Sequence, residues 1–317
     1  MTSTSATPSA LRLGTRRSAL ALAQANLMAD AIRAVSGREV ELVHVTTEGD
    51  VSRDSLASIG GTGVFVSALR DALLMGEIDV AVHSLKDLPT AQLPELELIA
   101  VPERADPRDA LVARDGLTLR SLPENATVGT GSPRRAAQLK AQRPDLDVVD
   151  IRGNVDTRIG LVESETVDAV VLAKAGLARL GRLDAITETI DPSIMLPAPG
   201  QGALAVEVVR DLAGDDRHAP LRQLDDAATR AAVTAERAVL AALEAGCSAP
   251  IGALGVVTEL GFSEPELTLE ALVASPDGST VTRMSTTTPV AEADAAGTQL
   301  AARLLGAGVP AISREHL

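Results

Sequence analysis

Basic and hydroxyl side chains gather where apolar, strand-like runs give way to helix-like ones. The segments are Thr15-Arg16-Arg17-Ser18, Ser84-Leu85-Lys86-Asp87, Thr130-Gly131-Ser132-Pro133-Arg134-Arg135, and Arg152-Gly153-Asn154 followed by Arg158. Such segments bind anions. A helix N-terminus offers unpaired N–H groups and partial positive charge, and a guanidinium adds a planar fork matched to carboxylate or phosphate. Each arginine alone reads as a solvated helix residue. Their recurrence at equivalent strand ends weakens that reading, the more so in a chain of net charge −14. Asp87 is the candidate for acid–base or electrostatic work. Beside Lys86 it stays ionised and would hold a cationic intermediate or relay a proton; the plain alternative is a turn-forming Asp ahead of Leu88-Pro89. Cys247 is the only thiol and sits in Gly246-Cys247-Ser248-Ala249-Pro250. It forms no internal disulfide, so it is either a small buried hydrophobe or an anchoring or reactive sulfur.

Other chemistries fit poorly. Gly60-Gly61-Thr62-Gly63 lacks the Lys-Ser/Thr and the preceding strand of a phosphate loop and reads as a hinge or lid. His44, His83, His218 and His316 are scattered, and a single cysteine argues against zinc or iron–sulfur chemistry. The acidic balance argues against nucleic acid or an anionic membrane as partner. The free thiol fits a reducing, cytoplasmic compartment. Residues 1–9 are polar and lack the basic-then-apolar order of a signal peptide. No apolar run reaches the length of a membrane span; residues 19–32 are interrupted by Gln24, Asn26 and Asp30 and read as an amphipathic helix. Aromatic residues are Phe65 and Phe262 alone, so the core is built from Ala, Val, Leu and Ile, as suits helices packed on buried sheets.

Those segments need a scaffold of strands and helices. Strands are expected over 11–13, 39–45, 78–82, 128–129, 147–151, 168–173 and 203–209. Helices are expected from Ser18 to about residue 35, over 65–75, from Pro133, from Asp156, and from 174 through Arg179. Residues 46–63 read as a mobile loop. Ser132 is the expected N-cap of the helix that Pro133 opens. Alternating strands and helices imply α/β layers with a largely parallel sheet. Breaks at 102–108 and 196–202 bracket one βα block, which implies an inserted block reached by two crossings that together form a hinge. The expected domains are 10–103 with 203–222, then 108–198, then 226–317. The last reads as a small α+β domain: a helix over 227–244, strands over 251–258, 267–275 and 280–286 with a turn at Pro276-Asp277-Gly278, and a helix over 290–305.

The chain resembles the porphobilinogen deaminase (hydroxymethylbilane synthase) family. The resemblance rests on Thr15 to Gln24, Gly60 to Phe65, Asp79 to Asp87, Arg104 to Ala110, Val128 to Arg135, Arg152 to Arg158, Pro199-Gly200-Gln201-Gly202 and Glu244 to Gly252. These run in family order; beyond about residue 252 the match is of pattern rather than residues. The resemblance implies two lobes built like a periplasmic binding protein, plus the third domain. It implies that Cys247 carries a dipyrromethane cofactor through a thioether, made by the enzyme from its own substrate. Porphobilinogen molecules then add in turn, each losing ammonia, and hydroxymethylbilane is released. By family match Arg16, Ser18, Lys86, Ser132, Arg134 and Arg135 bind cofactor or substrate carboxylates, with Arg152 and Arg158. Gln24, Thr130, Arg179 and Gln201 line the same cleft. Ser84, Gly153 and Asn154 belong to the binding loops, and Phe65 offers a ring face or fills a core. Asp87 receives pyrrole N–H groups and steadies the cation formed as ammonia leaves. The family commonly has basic residues at Thr62 and Ser58, which here are neutral, and other residues at Gly131 and Pro133. The family suggests a monomer. The competing reading is a non-enzymatic two-lobed anion-binding protein, which leaves Asp87 and the Cys247 domain without a purpose.

Overall fold

In the computed structural model, residues 10–45, 63–211, 217–244, 249–259 and 264–308 are described. The chain falls into two compact units. The first comprises Met1–His83, Gln92–Glu103 and Leu204–Asp226; the second comprises Ser84–Ala91, Arg104–Ala203 and Ala227–Leu317.

The first unit holds one mixed sheet. Strands β1 (Leu11–Thr15), β2 (Val40–His44), β3 (Val80–Ser84), β4 (Leu96–Ala100) and β10 (Leu204–Val209) are ordered β2-β1-β3-β10-β4. β1 runs parallel to β2 and β3, and β10 runs antiparallel to β4. Helix α1 (Ala19–Ser36) starts where the Ser18 hydroxyl accepts from the Ala21 N–H and stops at Gly37, whose φ of 64° suits a residue without a Cβ. Its Ala25, Met28, Ala29 and Ile32 recur at helical spacing and pack with Leu11, Leu13, Val80 and Val206. Helix α2 (Gly63–Leu74) buries Leu69, Ala72 and Leu73 against Ile78 and Leu96.

The second unit contains two sheets. In one, β5 (Asp109–Ala113), β6 (Thr127–Gly129), β7 (Asp147–Val149), β8 (Ala169–Ala173) and β9 (Glu188–Thr189) are ordered β7-β6-β8-β5-β9. Helices α3 (Pro133–Gln142), α4 (Val155–Glu163) and α5 (Lys174–Arg179) alternate with its strands. Both faces are covered. Leu111 and Val171 enter one core with Val128 and Leu139, while Ala110, Val112, Val170 and Leu172 enter another with Ile159 and Leu177. A doubly covered strand shows no polar alternation, which is why β5 escapes a reading of the sequence by period. Residues 102–108 read there as a crossing, with the next strand near 128; strands β4 and β5 lie on either side of that crossing. β5 pairs antiparallel with β8 and β9, while β6 is parallel to β7 and β8. The expectation of a largely parallel arrangement therefore holds only for the leading strands of each sheet.

The other sheet is an antiparallel meander of β11 (Ile251–Thr258), β12 (Glu266–Ala274) and β13 (Val281–Pro289). Helices α6 (Ala227–Ala242) and α7 (Ala293–Gly306) pack on it through Ala235, Val239, Leu267, Leu269 and Leu300. Small residues bring these helices together: a Cβ on Gly297 would lie 2.3 Å from the Ala235 carbonyl oxygen. The fold is α/β with an α+β C-terminal part. No helix among the described residues is long and apolar enough to cross a membrane.

Gly297→Val tests the helix packing. A bulkier residue gains at most about 1 kcal/mol in helix propensity over glycine, whereas over-packing against rigid backbone costs about 1–3 kcal/mol. The variant is expected to unfold at lower urea concentration than the wild type; an unchanged midpoint would show that α6 and α7 separate freely.

Candidate functional site

The site grows from the start of α3. Ser132 is its N-cap, accepting from the Arg135 N–H, and Pro133 occupies the first turn. Arg134 and Arg135 follow, so two cations stand at the helix end that already carries partial positive charge, an arrangement that is locally unfavourable. The turn leading in is tight: Thr130 is buried with its hydroxyl accepting from the Ser132 N–H at 3.2 Å, and a Cβ on Gly131 would lie 2.7 Å from the Ile151 carbonyl oxygen.

The compensation comes from β5. The Asp109 carboxylate, 0% exposed, accepts at Oδ1 from Arg135 Nε at 3.0 Å and Nη2 at 2.8 Å and from Gln201 Nε2 at 2.9 Å, while its Oδ2 forms an ion pair with Arg134 Nη1 at 2.8 Å. Both guanidiniums also meet backbone carbonyls. Arg134 Nη1 donates to the Leu196 carbonyl at 2.7 Å, and Arg135 Nη1 to that of Val171 at 3.0 Å. Burial alone would raise the Asp109 pKa, but the two guanidiniums outweigh it and hold the carboxyl well below its ordinary range. Arg134 is 3% exposed, yet its Nε has no hydrogen-bond partner among the described residues, and the buried Nε atoms of Arg158 and Arg179 have none among them either. Buried donors left this way are costly unless a ligand meets them.

Lys86 reaches the same cluster. Its Nζ lies 3.4 Å from Gln201 Oε1, which Arg135 Nη2 also approaches at 3.5 Å. Gln201 is aimed by the Pro199-Gly200-Gln201-Gly202 turn, whose glycines have φ of 75° and 90°. The Lys86 pKa is lowered to about 8, chiefly by burial and with the help of Arg135 and Arg134, against the opposing pull of Asp87 and Asp109. Asp87 closes the one-turn helix Leu85–Asp87 that follows β3. Arg237 of α6 holds the segment through the carbonyls of Leu88 and Pro89, each at 2.7 Å. No hydrogen bond to the Asp87 carboxylate occurs among the described residues, so it is available to receive a donor.

Other residues singled out in the sequence fall differently. Arg152 is 58% exposed in its side chain and pairs with Asp150 at 3.0 Å, a solvated pair of little energetic weight. The Asn154 side chain is spent capping α4, accepting from the Thr157 N–H at 2.8 Å, with Gly153 at φ 108° before it. Arg179 donates to the Gly202 carbonyl at 2.6 Å. Ser84 ends β3. In the first unit, Ser18 caps α1, Arg16 lies in the preceding turn, and Gln24 is buried along that helix. Cys247, Ser58, Thr62 and the side chain of Phe65 lie outside the described residues. Among the described residues no cluster of His, Cys, Asp and Glu of metal-binding size occurs.

Three contributors carried no role in the sequence reading: Asp109, Arg237 and Glu236. Glu236, 0% exposed, accepts from Arg104 Nη1 at 2.6 Å, Gly200 N at 2.6 Å and Gly255 N at 2.8 Å. An ionisable residue opening or interrupting an apolar run, as in Asp109-Ala-Leu-Val-Ala, is the one local signal that would have marked such a group.

The cluster is a net-cationic, partly enclosed surface suited to ligands bearing several carboxylates. A family model described as "Porphobilinogen deaminase, dipyromethane cofactor binding domain" matches residues 11–216, and one described as "Porphobilinogen deaminase, C-terminal domain" matches residues 230–306. "Porphobilinogen deaminase 1" of Streptomyces avermitilis is 59% identical, covering 97% of this chain and 99% of its own length. That of Streptomyces coelicolor is 57% identical over 98% of this chain and 99% of its own. A periplasmic substrate-binding protein of an ABC transporter from Coxiella burnetii has a TM-score of 0.42 at 14% identity, over 68% of this chain and 89% of its own.

The lowered Lys86 pKa has a direct check. The lysines are Lys86, Lys140 and Lys174, so ¹³C-methylation yields a readable set of NMR signals. One is expected to titrate near pH 8, because burial disfavours the ammonium form. The Lys86 charge is then present below that pH and lost above it. All lysine signals titrating together near the ordinary lysine value would refute the enclosure of Lys86.

Proposed function

Because the chain belongs to the porphobilinogen deaminase family, a family of transferases acting on porphobilinogen, we propose how its own residues perform that reaction. Each porphobilinogen carries an acetate, a propionate and an aminomethyl group on one pyrrole ring. Four rings are joined head to tail, each with loss of ammonia, and water then cleaves off the linear tetrapyrrole as hydroxymethylbilane. The carboxylates need cations, and the observation that carries the reading is the Lys86–Arg134–Arg135 cluster with the unpartnered Arg134 Nε, followed directly by the open carboxylate of Asp87.

The residues present fit a dipyrromethane cofactor: the buried Nε atoms of Arg134, Arg158 and Arg179 lack partners among the described residues, as expected of donors meant for a multiply anionic group. Arg134, Arg135, Lys86 and Ser132 would hold carboxylates of the cofactor or of the incoming substrate, with the Cys247 sulfur forming a thioether to the cofactor. When bound, it supplies the pyrrole carbon to which the first substrate ring is joined.

The rest of the chemistry falls to the chain. Arg158 adds a cation to the carboxylate site, and Arg16 and Ser18 are proposed for the same kind of task in the first unit. Thr130, Gln24, Gln201 and Arg179 shape and support the binding surfaces. Arg152, Gly153 and Asn154 form the loop before α4. Asp87 receives the pyrrole N–H. As the substrate C–N bond breaks and ammonia leaves, positive charge spreads over the ring, and the fixed carboxylate stabilises it. After the new C–C bond forms, the ring carbon sheds its proton, and Asp87 is the nearby group able to move it. Tethering to Cys247 keeps the growing chain at high effective concentration. Placement in the cytoplasm as a monomer belongs to the same reading, on the strength of the lone thiol and the family resemblance.

Intact mass spectrometry is the first test: the purified protein is expected to carry the added mass of two linked pyrroles, retained on the Cys247 peptide. A fully active protein of unmodified mass would refute the tether. Asp87→Ala is expected to keep that added mass while kcat falls about 10²–10³-fold, the usual loss when a group facing transition-state charge is removed. Wild-type turnover in this variant would remove Asp87 from the reaction.

A further inference from the structure

Asp109 is a carboxylate with no exposed surface inside a site whose purpose is to bind carboxylates. An ion pair built only for stability needs one cation per anion. Here one anion meets two: Arg134 approaches one carboxylate oxygen at 2.8 Å, and Arg135 and Gln201 crowd the other. The pair therefore keeps one net positive charge rather than two, and each guanidinium is also held by a backbone carbonyl, that of Leu196 for Arg134 and that of Val171 for Arg135. Without that anion two like charges would lie together at the start of α3, where the helix end disfavours both. A ligand carboxylate would then act as the missing counter-ion and be held more tightly than a moving chain can tolerate.

We propose that Asp109 is a positioning residue for the reaction, acting as an internal counter-ion that orients the Arg134 and Arg135 forks and cancels one of their charges. Incoming carboxylates are thus placed yet remain free to move on as the product lengthens. This rests on the assignment of the arginine pair to carboxylate binding. Asp109 touches no substrate; it acts through the arginines.

The test uses the purified holoenzyme, with inorganic phosphate as probe in titration calorimetry and porphobilinogen in turnover assays. Asp109→Asn keeps the shape and removes the charge. Phosphate is expected to bind about tenfold more tightly than to the wild type, roughly the effect of one added favourable charge contact. In the same variant kcat falls at least about tenfold with no rise in KM, because binding strengthens while progression slows. Asp109→Glu retains the charge but shifts the forks by one methylene, so kcat falls while phosphate affinity stays as in the wild type. A purely structural Asp109 would lower thermal stability and kcat in Asp109→Asn without altering phosphate affinity, and that result overturns the proposal; so does a tenfold affinity change in Asp109→Glu. Should Asp109→Asn fail to fold, Asp109→Asn with Arg134→Gln restores the charge balance, and its phosphate affinity is expected not to exceed that of the wild type; tighter binding there overturns the proposal as well. Wild-type protein that makes no hydroxymethylbilane from porphobilinogen would count against the assigned reaction instead, and the phosphate comparison reads Asp109 independently of it.

Discussion

Two guanidiniums sharing one buried carboxylate is the constraint around which the second unit is arranged. Arg134 and Arg135 sit where a helix least favours cations, and both are nearly devoid of solvent. Breaking a buried pair by removing one partner costs about 3–5 kcal/mol, because the other charge is left stranded. The surrounding structure is accordingly specific. Ser132 caps the helix, Gly131 lets the chain pass the Ile151 carbonyl, and Gln201 bridges Asp109 to Lys86. Local rules are broken at this helix start, and tertiary contacts make the breach tolerable, as is common at functional sites.

Helix α6 carries two consecutive charged residues with opposite tasks. Glu236 gathers donors from Arg104, Gly200 and Gly255, tying the segment before β5, the turn that aims Gln201, and strand β11 to one point. Arg237 grips the carbonyls after Asp87. The segments that present Lys86, Asp87 and Gln201 are thus anchored to a rigid helix of the C-terminal part. From the other side, a Cβ on Gly278 would lie 2.6 Å from the Ala137 carbonyl oxygen, so the β12–β13 turn packs on α3 itself. The α+β part thus braces the arginine-bearing helix.

Much of this was legible without coordinates. The starts of helices α1, α3 and α4 were placed close to Ser18, at Ser132 with Pro133, and near Asp156, with a cap read at Ser132 alone. The C-terminal meander was marked by its alternation and by the Pro276-Asp277-Gly278 turn. The segments bearing Lys86, Arg134, Arg135 and Gln201 were recognisable by residue type and order. Arg152 and Asn154 were recognisable too, but composition does not reveal that a charge already has a solvated partner or that an amide is spent on a cap.

The sequence by itself determined the alternation of strands and helices, the cationic loops and the lone thiol, because these depend on neighbours within a few residues. Only the tertiary structure decided which charges share a partner. Asp109, Glu236 and Arg237 find theirs far along the chain, and such pairing leaves no local period. It also decided that Arg134 and Arg135 act from a dry interior rather than from the surface, since desolvation is a property of what packs over a side chain and not of the side chain itself.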